Sequence, residues 1–445
     1  MQGRVERLAA LLLFIILSTI LIARGIVPAL SKIDTDFPNY FTAAKIVASG
    51  GAVERLYDDS WFQEQMGHYP FGRPPIGKFD PFPPPTALLL VPLTGLSPLN
   101  ALRVLTGVSV VCLIGSIALL ARILSWRLLH SGVFVLLSGY AVLNALRFGQ
   151  PYILVSFSCI LGYYALLKGR PLLAGACFGL FAPIKYYPTV VLLYFAFRKQ
   201  WKVVLGGAFA VLVVVSTSIG VLGWKLHEQF FASVLGQHLT ANLSMQDPFT
   251  ASFQSFDTLF RRLFILDPIA NPRPLIAFSG LQVIGLLSTK ILIFVAAMAT
   301  LIKLARTGGA DVTAPSIGIL GILVLLLAPA TATYHFALLW LPVGLLINYL
   351  LLERQPACAY LVLGTYAMIG FFPYKYTAPF EGRGGLTLLA YPRLFLLLLM
   401  FMTCVYSVWS RRDGGRGAPE CTVKTRNAGS TTDQALNGAM SAWPV

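Results

Sequence analysis

Twelve apolar stretches run through this chain, at 8–23, 99–123, 129–147, 150–168, 171–184, 187–197, 202–223, 279–305, 315–333, 335–352, 357–372 and 387–410. They leave it essentially one class of fold. A segment in hydrocarbon must satisfy its own backbone hydrogen bonds, which a helix does, and about 20 apolar residues carry it across a bilayer. Of 445 residues 56% are apolar and only 12% charged, against about 25% charged in an ordinary soluble domain. The expected fold is therefore an all-α polytopic membrane protein of about twelve transmembrane helices. Residues 1–410 form that domain, with long loops at about 31–85 and 224–277. The stretch 8–23 exceeds the usual apolar core of a signal peptide and lacks a small-x-small cleavage site, so it is read as a retained first span. Residues 411–445 are rich in Gly, Ser and Thr without apolar periodicity, and are expected to form a disordered cytoplasmic tail.

Charge orients the helices. The 34 Lys and Arg outnumber the 18 Asp and Glu, for a net +16. In a soluble protein this would suggest nucleic acid; among apolar helices it points to cytoplasmic loops and lipid headgroups, and no nucleic-acid partner is expected. With the N-terminus in the cytoplasm and 171–197 split into two short crossings at Pro183 and Pro188, Arg122, Arg127, Lys168, Arg170, Arg198, Lys199, Lys202, Lys303, Arg306 and Arg354 fall in or beside short inner connections. Both long loops then face outward, and both termini inward. Fusing 171–197 into one span would reverse every later loop and put Arg411 and Arg412 outside. The split is preferred, and a helix interrupted at membrane depth lines a cavity, so Lys185, Tyr186 and Tyr187 are expected to border something polar. The six cysteines show neither a disulfide framework nor CxxC metal spacing.

Seven acids crowd the first loop: Asp34, Asp36, Glu54, Asp58, Asp59, Glu64 and Asp80. Asp36 follows the first span by a few residues, where a carboxylate could take a proton from an acceptor hydroxyl at the membrane surface. The same residue precedes Phe37-Pro38 and could simply cap a helix that starts there; spacing alone leaves both open. Asp34 and Asp36 spell Asp-x-Asp, a metal signature of soluble sugar transferases, but nucleotide sugars are cytosolic and this loop is assigned outside, so no metal is expected. Asp58 and Asp59 read as solvated loop charges. His335 at an outer helix end could donate to a phosphate or modulate a carboxylate, or bond to backbone. Lys185 is a cation in an apolar region, which is costly without a purpose, and with Arg147 and Arg262 it could clamp a phosphate. Tyr40, Tyr57 and Tyr391 could stack on a sugar, although packing is the stronger reading for each.

Taken in order, Asp36-Phe37 with Tyr40 and Ala43-Ala44, Leu56-Tyr57, Phe82-Pro83-Pro84 leading into 87–92, Asn144 with Gly149-Gln150, Lys185 with Pro188, Gln254-Ser255 with Arg261-Arg262-Leu263, and Tyr334-His335 resemble glycosyltransferase family 87, membrane enzymes of the GT-C type. The resemblance implies inverting transfer of a sugar, as in mannosyltransferases of the family, from a polyprenyl-phosphate donor to a lipid or glycan acceptor. It places the reaction on the outer face of the cytoplasmic membrane, without metal, nucleotide sugar or other cofactor. It makes Asp36 the general base and puts His335 near the reaction centre and Lys185 toward the donor phosphate; on the residue reading above, Arg147 and Arg262 are expected as further phosphate ligands, with Asp34, Tyr40, Gln150 and Gln254 in support. The chain departs from the family pattern at Pro151 and Phe253, where Asn is usual, and at Phe82, where Tyr is usual. The alternative reading is a multi-spanning transporter or lipid flippase. That would place ionisable groups at mid-membrane depth, where only Lys290 is expected here.

Overall fold

The computed structural model describes residues 2–72, 77–80, 82–239, 247–307, 312–372 and 376–410. The tail expected at 411–445 lies outside the described residues. Within them the chain is helical throughout and forms no strand, only an isolated bridge between Asp267 and Asn271. The helices used below are α1 (Gln2–Leu21), α2 (Phe37–Ala48), α3 (Asp59–Gly67), α4 (Pro98–Ile123), α5 (Leu128–Leu136), α6 (Tyr140–Arg147), α7 (Tyr152–Leu167), α8 (Pro171–Leu180), α9 (Tyr187–Phe197), α10 (Trp201–Leu222), α11 (Phe256–Phe264), α12 (Ser279–Thr307), α13 (Thr313–Leu327), α14 (Trp340–Leu352), α15 (Pro356–Phe371) and α16 (Pro392–Trp409).

Six helical segments among the described residues are long and apolar enough to cross a membrane: Arg4–Ser31, Pro98–Ile123, Trp201–Leu222, Ser279–Arg306, Thr333–Leu352 and Pro392–Trp409. The pair α5 and α6 makes a seventh if its 73° bend counts as one broken span. The other apolar runs fold into helices of 10–17 residues. At 1.5 Å per residue these reach about 15 to 25 Å, short of about 30 Å of hydrocarbon. Helix length thus supports a multi-pass protein, while twelve full crossings remain an expectation that length alone does not carry.

Local chemistry explains the irregular points. The first span passes through a π-turn at Ile22–Ile26 just before Pro28; proline has no N–H and its ring crowds the carbonyl four residues back, so the ladder widens there. The bend between α5 and α6 centres on Gly139, at φ +50°, where a Cβ would collide with the Gly370 carbonyl of α15. Ser138 accepts from Trp340 Nε1 at 3.1 Å and donates to Val135 O at 2.6 Å, pinning the break. The bend aims the C-terminal end of α6 toward the start of α2. In α8 and α10, Gly175, Gly179, Gly206 and Gly207 let two backbones touch, and a Cβ on Gly175, Gly179 or Gly206 would strike a carbonyl of the partner helix. Small residues are the usual means of such close approach in membranes.

The helices share one continuous apolar core, and the first long loop has a second of its own. There Phe37, Tyr40, Phe41, Leu56, Phe62, Met66, Phe79 and Phe82 are buried together. This loop is therefore a packed cap, and the core seats α2 rigidly. Asp58 is solvated, as expected, and also caps α3: its carboxylate accepts from Arg55 at 2.6 Å, Ser60 Oγ at 2.7 Å and Trp61 N at 3.1 Å, and these bonds hold its carboxyl below the usual carboxylate range. Lys290, the one charge expected deep in a span, is paired with Asp257 of α11 at 2.6 Å.

Candidate active site

Asp36 occupies the N-cap position of α2, but its side chain makes no capping bond. The competing reading of this residue as a simple cap is thereby set aside, and the carboxylate is free for another use. It accepts from Gln150 Nε2 at 2.6 Å and from Thr35 Oγ1 at 3.2 Å, and the Tyr334 hydroxyl reaches it as well. Burial raises its pKa above the ordinary carboxylate value, against the opposing pull of the Gln150 and Thr35 bonds and the Lys185 charge.

Behind it runs a chain of hydrogen bonds whose direction is fixed by the groups themselves. Lys185 Nζ, which can only donate, lies 3.3 Å from the Tyr40 hydroxyl. Tyr40 gives its proton to Gln150 Oε1 at 2.7 Å, and Gln150 turns its amide N–H to Asp36. This order suits an ionised Asp36, which only accepts. Lys185 sits in the turn 181–186 between α8 and α9, over the faces of Phe82 and Tyr152 at 5.0 Å and Tyr40 at 5.8 Å. Aromatic faces offset part of the cost of a desolvated cation. Burial still lowers its pKa from 10.5 to about 8, with the Asp36 charge opposing.

His335 lies in the turn leading into α14, its ring 4.6 Å from that of Tyr152. Ala332 N donates to its Nδ1 at 3.2 Å and the Tyr187 hydroxyl lies 3.1 Å from the same atom. An Nδ1 that accepts from backbone assigns the ring proton to Nε2.

Asp36, Gln150, Lys185 and His335 all line a cavity of about 1160 Å³. One end is polar, formed by these residues with Thr35, Asn39, Lys78 and Tyr334. From there the cavity runs between α9, α12 and α13, past Val190, Leu193, Leu301, Leu320 and Leu323, to Arg198, Ala305 and Val312. Its stretch along α13 covers residues 312–328, about 24 Å at 1.5 Å per residue. Leu193 and Ile302 are half exposed and Phe197 almost fully so, which leaves the groove open along this side.

Not every expected site residue comes here. Tyr40 is fully buried one layer behind Asp36. Asp34 and Arg147 pair with each other at 2.8 Å on the flank, so the two acids of Asp-x-Asp take different partners; among the described residues no three His, Cys, Asp or Glu side chains converge as a metal site. Arg262 is spent elsewhere: it donates to the carbonyls of Phe249 and Ala270 and pairs with Glu381 at 3.0 Å. It ties the second loop together and offers nothing to a phosphate in the cavity. Gln254 is likewise a strut, donating to Ala251 O and Ala390 O and accepting from Arg393 N at 3.0 Å. Tyr391 is buried and Tyr57 donates to Phe82 O at 2.7 Å; neither lines the cavity. Sequence reading missed Tyr152, whose ring covers Lys185, because aromatic residues are common packing in membranes; its place two residues after Gln150 was the available signal. Of the three departures from the family pattern, Phe82 and Phe253 line the cavity.

The family model of glycosyltransferase family 87 matches residues 81–329, more than half of the chain. The chain belongs to glycosyltransferase family 87. No match is found among curated proteins. This family 87 protein is thus a glycosyltransferase, and its apolar helices make it a multi-pass membrane protein. The matched region holds Arg147, Gln150, Lys185, Gln254 and Arg262, while Asp34, Asp36, Tyr40 and His335 lie outside it.

Proposed function

We propose that this glycosyltransferase moves a sugar, mannose as the first candidate, from a polyprenyl-phosphate donor to a hydroxyl of a lipid or glycan acceptor on the outer face of the cytoplasmic membrane. The observation that carries the reading is the shape of the cavity: a polar end with one carboxylate and one cation, continuous with an apolar groove about 24 Å long that is open along one side. A prenyl chain fits the groove, and its phosphate would meet Lys185.

Asp36 acts as general base. Its ionised carboxylate takes the proton of the acceptor hydroxyl as that oxygen attacks the anomeric carbon from the face opposite the phosphate, which inverts the configuration. The bond from the anomeric carbon to the phosphate oxygen breaks, and polyprenyl phosphate leaves with its negative charge opposed by Lys185 and by a hydrogen bond from His335 Nε2. Lys185 meets the charge need of the leaving group that a divalent cation serves elsewhere. The chain Lys185, Tyr40, Gln150, Asp36 holds base and cation in register.

The test is an assay of purified protein in nanodiscs with synthetic polyprenyl-phosphate mannose, glucose and arabinofuranose as donors and octyl glycosides and a membrane lipid extract as acceptors, following release of polyprenyl phosphate. Release from one of them, lost in Asp36→Asn, is expected. Release from none by a folded wild type would overturn the donor class.

A further inference from the structure

The polar end of the cavity carries two lysines in unlike settings. Among the described residues Lys185 makes no ion pair; it is held by the Tyr40 hydroxyl and three ring faces. Lys78, which also lines the cavity and is buried, pairs with Asp80 at 3.4 Å. A lone cation suits an anion. A lysine already balanced by a carboxylate offers a donor and an acceptor with no net charge, which suits a polyol.

Beside Lys78 stands Asn39, one helical turn after Asp36 on α2 and on the same face of that helix. Among the described residues its side chain makes no hydrogen bond, and its Oδ1 is buried without a partner. The amide rests on Gly77, where a Cβ would collide with it. Gly77 in turn is held by its N–H donating to Gln63 Oε1 at 2.9 Å. The Asn39 amide is therefore lodged by its oxygen, which leaves its N–H edge as the part that faces the cavity. An unpaired amide donor in a mostly apolar cavity is costly unless a ligand completes it.

We infer that Asn39 and Lys78, backed by Asp80 and Gly77, form the subsite for the acceptor, and that the acceptor presents an uncharged sugar ring there. The inference rests on the glycosyltransferase reading and deepens it. A ring hydroxyl bonded to Asn39 brings its neighbour toward Asp36, because residues three apart on a helix have Cβ atoms about 5 to 6 Å apart. The acceptor comes in from the wall of the first loop and the donor from the groove, so the two substrates meet at Asp36 without crossing.

The experiment is saturation-transfer NMR with octyl α-mannopyranoside and octyl glucopyranoside on protein in lipid nanodiscs free of glycoside detergent. Signals on the sugar-ring protons are expected for wild type and Lys185→Met, and a loss of at least about fivefold for Asn39→Ala and Lys78→Met, with Asn39→Gln recovering part of it. Ring signals unchanged in both Asn39→Ala and Lys78→Met, or absent from wild type, would overturn the subsite. Loss in Lys185→Met to the same extent would overturn the division of roles between the two lysines. Octyl mannoside phosphate binding more tightly than octyl mannoside, through Lys78, would overturn the uncharged class. Tryptophan emission of each variant checks the fold. Sugar binding together with failure of every polyprenyl-phosphate donor would leave this subsite standing and remove the proposed donor instead.

Discussion

Asp36, the proposed base, is held between two opposed influences. Its burial raises the pKa, and every hydrogen bond it accepts pulls the other way. A base needs to be ionised at working pH yet basic enough to accept a proton, and this balance serves both needs. Asp36→Asn is expected to lower kcat by about 10² to 10⁴, the usual contribution of a general base, without loss of the folded protein in size-exclusion chromatography. The pH profile of kcat/KM follows from the two opposed groups. Activity rises as Asp36 loses its proton and falls as pH passes about 8, where Lys185 loses its own. Gln150→Leu removes a bond that favours the ionised carboxylate, so the acid limb should move to higher pH. Lys185→Arg should move the alkaline limb upward, since guanidinium stays protonated. An acid limb unmoved in Gln150→Leu would separate that limb from Asp36.

Among the helices, the hairpin of α8 and α9 determines where Lys185 stands. Neither arm is long enough to cross alone, and both leave the turn 181–186 at the level of Tyr40 and Asp36. The arrangement depends on the contact of α8 with α10, where glycines bring the backbones together. Gly179→Val is expected to push α8 from α10 and to cost about 1 to 3 kcal/mol, the range for overpacking a close interface. It should be read as a lower Tm and as a raised donor KM, because the turn bearing Lys185 moves with α8. Gly364→Ala, at a site with open space around it, is the control and should change neither. The sequence split of 171–197 at Pro183 and Pro188 agrees with these helix ends, because proline removes a backbone donor and ends a helix wherever packing does not compensate. Helix 333–352 was less legible: its first turn, Thr333–Leu339, is a 3₁₀ segment, and only that tighter winding sets the Nδ1 of His335 against Ala332 N.

For the whole molecule, the groove between α9, α12 and α13 ties membrane and chemistry together. Leu320→Trp, halfway along it, should raise the KM for a long polyprenyl donor several-fold and leave a short-chain analogue little changed. Equal effects on both donors would mean that the chain lies elsewhere. Orientation has its own test. If the first loop faces outward, Glu64→Cys should react with an impermeant maleimide on intact cells and Lys199→Cys only after lysis; the reverse pattern would invert the proposed topology.

The sequence by itself determined the membrane class, the helical content and the order of the apolar runs, because these follow from local composition and from the need of a backbone in lipid to satisfy its own hydrogen bonds; it also singled out Asp36 and Lys185, which the fold brings to one cavity. It overstated the phosphate clamp. Arg147 and Arg262 are cations at sensible positions, yet one pairs with Asp34 and the other bridges Phe249, Ala270 and Glu381. Residue type does not reveal a partner more than a hundred positions away. Only the tertiary structure decided which charges are spent on holding loops and which are left for substrate, since that depends on how long-range packing distributes a small number of hydrogen-bond partners. It also decided that an Asn39 in an unremarkable helix start would keep a free amide, because Gly77, distant in sequence, fills the space on its other side.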